Sequence, residues 1–228
     1  MPDILLPTFP HIVQRFVQRF ARRLVQRSAC LAALLLFATG VSAESLIDGS
    51  GEAGKSKSTT CAACHGAEGV SVNPEWPNLA GQNARYIYEQ LIAWKSGERQ
   101  NVLMSSQAQG LSDQDMKDLA VYYEAQVLPP RAVANPDLVD MGERLYRGGD
   151  LEAGISACIA CHGPRGLGNP AAAYPKLRGQ HATYTASTLK AYRSGERVSS
   201  MNKVMNNIAE RLSDEQIEAL ASYVQGLK

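Results

Sequence analysis

The pentapeptide Cys-x-x-Cys-His occurs twice, as Cys61-Ala62-Ala63-Cys64-His65 and Cys158-Ile159-Ala160-Cys161-His162. The residues downstream of each copy also recur. Pro77-Asn78-Leu79-Ala80-Gly81-Gln82 pairs with Pro175-Lys176-Leu177-Arg178-Gly179-Gln180, Lys95-Ser96-Gly97-Glu98-Arg99 with Arg193-Ser194-Gly195-Glu196-Arg197, and Leu111-Ser112-Asp113 with Leu212-Ser213-Asp214. The offset between these landmarks drifts by only a few residues. The chain is therefore one domain duplicated, and not a solenoid, which needs several shorter repeats. Between the copies lies Leu128-Pro129-Pro130-Arg131-Ala132-Val133-Ala134-Asn135-Pro136. Its three prolines deny the backbone helical hydrogen bonds and predict an extended linker.

Cys-x-x-Cys-His is the attachment sequence of c-type haem. The two thiols add to the porphyrin vinyl groups, and the histidine reaches the iron from one side. A zinc site and a redox dithiol compete for a Cys-x-x-Cys pair. Neither explains a histidine after both pairs in two duplicated units. The expectation is two covalently bound c-type haems, held by Cys61, Cys64, Cys158 and Cys161, with His65 and His162 as axial iron ligands.

The opposite axial position is constrained by counting. Beyond the N-terminal segment the histidines are His65, His162 and His181, so at most one iron can take a second histidine. Methionine is the usual alternative. Met104 and Met205 precede their Leu-Ser-Asp landmarks by the same interval and are the expected ligands. Met201 is the rival to Met205, and it would need a gap on the helix-proximal side of the ligand. Met116 and Met141 fall on apolar helix faces and read as core. His181 reads as a surface or interface polar residue. Pro77 and Pro175 either offer a carbonyl to the Nδ1–H of the ligating histidine or simply make a turn. The aromatic residues Tyr86, Tyr88, Trp94, Tyr184 and Tyr192 are expected around the haem edges. Arg85, Arg99, Arg178 and Arg197 have propionates as candidate partners, with a solvated face the default reading.

Each copy reads as helical. Ser112 to Asp115 and Ser213 to Gln216 are capping-box patterns. Met116, Leu119, Ala120 and Tyr123, like Ile217, Leu220, Ala221 and Val224, recur on one helix face. Middle helices are expected at about 85–95 and 183–193, and a further helix from Asn135-Pro136-Asp137 to about Tyr146. Units of this size bury little surface alone, and an apolar cofactor would complete their cores.

The first 43 residues carry five arginines, then an apolar run from Ala29 to Ala38 and the small residues Val41-Ser42-Ala43. This is the pattern of a secretory signal, and the run is short for a spanning helix. Cleavage after Ala43 would remove Cys30 and leave four cysteines. The formal net charge of +1 turns slightly acidic without this segment, which offers nothing to nucleic acid. The expected organisation is a signal peptide at 1–43, a first domain at 44–128, a linker at 129–136 and a second domain at 137–228.

With the two Cys-x-x-Cys-His-Gly motifs, the Pro-x-Leu-x-Gly-Gln after each, the paired Leu-Ser-Asp landmarks and the closing Ala221-Ser222-Tyr223-Val224-Gln225-Gly226-Leu227, the sequence resembles the dihaem cytochromes c4 over about Gly51 to Lys228. The resemblance implies an all-α fold of two tandem class I cytochrome c domains related by an approximate twofold axis, with haem propionates near the interface. It implies ligand pairs His65/Met104 and His162/Met205. It also implies a periplasmic electron carrier, soluble or loosely attached to the membrane. Its partners would be a quinol-oxidising complex or another cytochrome as donor and a terminal oxidase as acceptor. The rival readings are an electron-accepting subunit of a periplasmic dehydrogenase and a dihaem peroxidase.

Overall fold

The computed structural model describes residues 45–199 and 203–228. The expected signal, its cleavage point and Met201 lie outside the described residues. The described residues form helices with no strand among them, only the isolated bridges Asp150–Ile155 and Asn169–Tyr174.

The two halves repeat the same five helices. In the first these are α1 (Gly51–Lys57), α2 (Thr59–His65), α3 (Ala84–Ser96), α4 (Val102–Gln109) and α5 (Asp113–Glu124). In the second they are α6 (Val139–Gly148), α7 (Ile159–His162), α8 (Ala182–Ser194), α9 (Val204–Ala209) and α10 (Asp214–Gly226). A short 3-10 turn, Pro136–Leu138, leads into α6 where one continuous helix was expected. The second half also inserts a hydrogen-bonded turn, Asp150 to Ile155, between α6 and α7.

Both last helices start where the capping boxes predict. Ser112 Oγ accepts from Asp115 N while Asp115 Oδ2 accepts from Ser112 N, and Ser213 and Gln216 reproduce the exchange. Two amide donors that the helix itself cannot satisfy are thereby paired. The apolar faces then close the cores. Leu119 and Ile217 are 2% and 0% exposed, and each such burial contributes about 1.5–3 kcal/mol. Met116 is buried in the first core and Met141 packs on the second.

The first and last helices of each half cross at a glycine. A Cβ at Gly54 would collide with the Asp118 carbonyl oxygen and the Tyr122 Cβ, and one at Gly142 with the Ala219 carbonyl oxygen and the Tyr223 Cβ. Backbone meets backbone at both crossings, so α1 lies on α5 as α6 lies on α10. The segment between the last helix of the first half and α6 passes beside α10, where Gln225 Nε2 donates to the Ala132 carbonyl and Asn135 exchanges two hydrogen bonds with the Ser222 hydroxyl (2.7 and 2.9 Å).

Candidate functional site

Helical spacing gathers the motif residues. In α2, Cys61 and Cys64 are one turn apart on the same face, with His65 beside Cys64. In the second half Cys158 caps α7, and Cys161 and His162 end it. Gly66 (φ 80°) and Gly163 (φ 76°) then turn the chain in the left-handed region, which glycine enters without strain.

Both histidines are 6% exposed. His65 Nδ1 lies 2.9 Å from the Pro77 carbonyl oxygen, and His162 Nδ1 lies 2.9 Å from that of Pro175. A carbonyl only accepts, so Nδ1 carries the proton in each ring and Nε2 keeps a bare lone pair. Burial holds both imidazoles below the usual histidine range, against the opposing pull of these carbonyls. They are neutral bases of fixed tautomer, the form a metal binds. Of the two roles open to Pro77 and Pro175, the structure shows the hydrogen bond. The four motif cysteines are free and half-buried. Burial raises the Cys61 thiol and pushes that of Cys158 up to about 11, so both are thiols near neutral pH.

The candidate methionines sit on short helices of their own, α4 and α9. Asn101 Oδ1 accepts from the amides of Leu103 and Met104 (3.1 and 2.9 Å) and so caps the first turn of α4, which carries Met104. Met104 is half-buried against the first core. Met205 is half-buried in α9, and its amide donates to Ser199 Oγ at 3.2 Å. Asn206 fastens α9 to the last turn of α8 and to the residues just after it by donating to the carbonyls of Tyr192 and Arg197.

The halves meet through reciprocal contacts. Arg99 donates to the Tyr184 hydroxyl (3.4 Å) and Arg197 to the matching Tyr86 hydroxyl (2.8 Å). Such an exchange between matching residues is the mark of a twofold relation. Both guanidinium groups also donate to Gln90 Oε1 at 2.8 Å. The solvated-face reading fails for Arg197, which is 6% exposed. It stacks on Tyr192 as Arg99 stacks on Trp94, so these aromatic rings shelter the arginines. Burial opposes ionisation of Tyr184, yet Arg99 and Arg197 beside it lower its phenol, the sign of a positive field. Arg85 is exposed and pairs with Glu89. His181 is an interface residue, 2% exposed, donating from Nε2 to the Ser71 carbonyl at 3.0 Å.

A family model described as cytochrome c matches residues 52–124 and 140–228. Cytochrome c4 of Pseudomonas aeruginosa is 42% identical over 86% of this chain and 98% of its own length. The chain belongs to the cytochrome c4 family. The crystal structure of reduced recombinant cytochrome c4 from Pseudomonas stutzeri superposes with a TM-score of 0.76 at 43% identity, over 79% of this chain and all of that one. A thiosulfate dehydrogenase electron acceptor of Stutzerimonas stutzeri is 39% identical over 72% of this chain and 76% of its own length. As a member of this family with two cytochrome c domains, the protein is a dihaem electron-transfer cytochrome with covalently bound c-type haem.

The residues present fit that group. Each half offers two thiols and a neutral imidazole with Nε2 bare. Arg99 and Arg197 bring two positive charges together with no carboxylate paired to either among the described residues, and the buried Trp94 Nε1–H has no acceptor there. These donors suit an anionic partner such as a propionate.

Proposed function

We propose that the chain is exported, cleaved after Ala43, and works in the periplasm, soluble or loosely attached to the membrane. There it carries electrons from a quinol-oxidising complex or another cytochrome to a terminal oxidase. In this reading domain 1 spans 44–128 and domain 2 spans 137–228, joined by the linker 129–136. Cys61 and Cys64 hold one haem as thioethers, and Cys158 and Cys161 the other. His65 with Met104, and His162 with Met205, are the axial ligands. Bound haem supplies a one-electron ferric/ferrous couple. The protein holds each imidazole in one tautomer, buries it from water, and keeps the two domains in register.

The observation that carries this reading is the repetition of one site in two halves, His65–Pro77 and His162–Pro175, each with the same bond length and burial. No helix among the described residues is long and apolar enough to cross a membrane, which suits a carrier tethered loosely at most. The experiment begins with the intact mass of the exported protein, expected to equal residues 44–228 plus two haems. The reduced protein should then be reoxidised rapidly by membranes containing the terminal oxidase. One haem per chain, or no reoxidation, contradicts the reading. The thiosulfate dehydrogenase electron acceptor of Stutzerimonas stutzeri supports a second reading, an electron-accepting subunit of a periplasmic dehydrogenase. Stable co-purification with a dehydrogenase would favour it.

A further inference from the structure

The recurring glutamine of Pro-x-Leu-x-Gly-Gln reaches across the interface in both directions. Gln180 of the second half accepts from Asn78 N (2.8 Å) and donates to the Asn78 carbonyl (2.9 Å). Gln82 of the first half accepts from Lys176 N (2.7 Å) and donates to the Lys176 carbonyl (2.9 Å). Each Oε1 also accepts the amide of the next residue in its own half, His181 N or Asn83 N. Only one orientation of each carboxamide satisfies two N–H groups and one carbonyl, so both side chains are fixed. Gln82 and Gln180 are 7% and 8% exposed.

The residues they grip adjoin the histidine sites. The Asn78 N–H and the Pro77 carbonyl belong to one planar peptide group, as do the Lys176 N–H and the Pro175 carbonyl. One chain of hydrogen bonds therefore runs from His65 Nδ1–H through a single peptide into Gln180 of the other half. Its counterpart runs from His162 Nδ1–H into Gln82. A peptide whose N–H is engaged becomes a stronger acceptor at its oxygen, because linked hydrogen bonds polarise one another. A stronger acceptor at Nδ1 makes the imidazole a more basic ligand, which favours the ferric iron.

We infer that each glutamine tunes the haem of the opposite domain: Gln180 lowers the potential at His65, and Gln82 lowers that at His162. Both are positioning residues, acting through a peptide group and touching neither iron nor porphyrin. The inference rests on His65 and His162 as ligands, and its test keeps the two ideas apart.

The experiment is redox titration of the dihaem protein, with each midpoint assigned to its domain by NMR of the haem methyl resonances. Gln180→Leu should raise the midpoint of the first-domain haem and leave the second near its wild-type value. Gln82→Leu should do the reverse. Gln180→Glu, which keeps an acceptor for Asn78 N, should move the first midpoint less than leucine does, and it serves as the second variant if leucine prevents folding. The His65 ring N–H resonance should shift with Gln180→Leu. A shift confined to the mutated domain, equal shifts in both, or none in a protein with intact low-spin spectra overturns the crossed control. Failure of the histidine assignment reads differently, as a wild-type protein lacking those low-spin spectra.

Discussion

Met104 and Met205 differ in what holds them although the repeat aligns them. Asn101 caps the amide of Met104 directly, whereas Met205 depends on Ser199 and on the fastening of Asn206. Leucine keeps the apolar volume of methionine but offers no sulfur. Met104→Leu and Met205→Leu should each abolish about half of the near-infrared sulfur-to-iron band of the oxidised protein, and the double variant all of it. Loss of the band in Met201→Leu with retention in Met205→Leu would reverse the assignment. The motif was legible as a repeated spacing of two cysteines and a histidine, and the proline carbonyls because they recur at nearly one distance from the histidines. The packing beside the first motif cysteine was not legible. Tyr123 of α5 lies by Cys61, while Tyr146 of α6 lies by Cys158. Ser58 and Val224 stand at the matching positions, so the ring enters from opposite helices and no one-to-one comparison reveals it.

The capping boxes and periodic faces marked α5 and α10 because those signals are local. Helices α1, α2, α4 and α9 are short, and their stability comes from what they pack against, so nothing in their own residues announced them. The crossing glycines show the same dependence on tertiary context. Gly54 and Gly142 sit inside helices, where glycine is unfavourable relative to alanine by roughly 0.5–1 kcal/mol. Propensity alone therefore makes alanine stabilising. The crossings predict the opposite, because a methyl at either site meets a backbone carbonyl oxygen that cannot rotate away. Gly54→Ala should loosen α1 from α5, and Gly142→Ala should loosen α6 from α10. Overpacking of this kind costs about 1–3 kcal/mol, read as a lower midpoint in guanidinium denaturation. A midpoint at or above that of the parent protein would show that the helices can separate without loss. The interface glutamines lay in plain view in the repeated motif. Their role was hidden because no sequence signal says which residue of the other copy they face.

At the scale of the whole molecule the duplication preserves architecture but not chemistry, and acid should separate the halves. Asp118 in α5 is 3% exposed. It accepts from Lys57 Nζ (2.5 Å), Ser50 N (2.8 Å) and Gln114 Nε2 (2.9 Å), which pins α1 to α5. Lys57 foremost, then Ser50 and Gln114, hold its carboxyl below the usual range. A carboxylate with a depressed folded pKa contributes stability that is fully present above its ordinary value of 3.8. That contribution is lost as pH falls through the folded value, because the unfolded chain then binds the extra proton. In the second half Leu145 and Ala219 occupy the places of Lys57 and Asp118, and the start of α6 is tied instead by the neutral Asn135–Ser222 exchange. His181, whose value burial lowers, acts on the interface that both halves share and so does not distinguish them. Below about pH 4, therefore, α1 should detach from α5 while α6 stays on α10. Domain-resolved NMR during acid titration should show first-domain amides losing protection at higher pH than second-domain amides. Lys57→Leu with Asp118→Ala, which copies the second half into the first, should bring the two transitions together. Simultaneous loss in the parent protein would mean that the interface, and not the Asp118 cluster, sets acid stability.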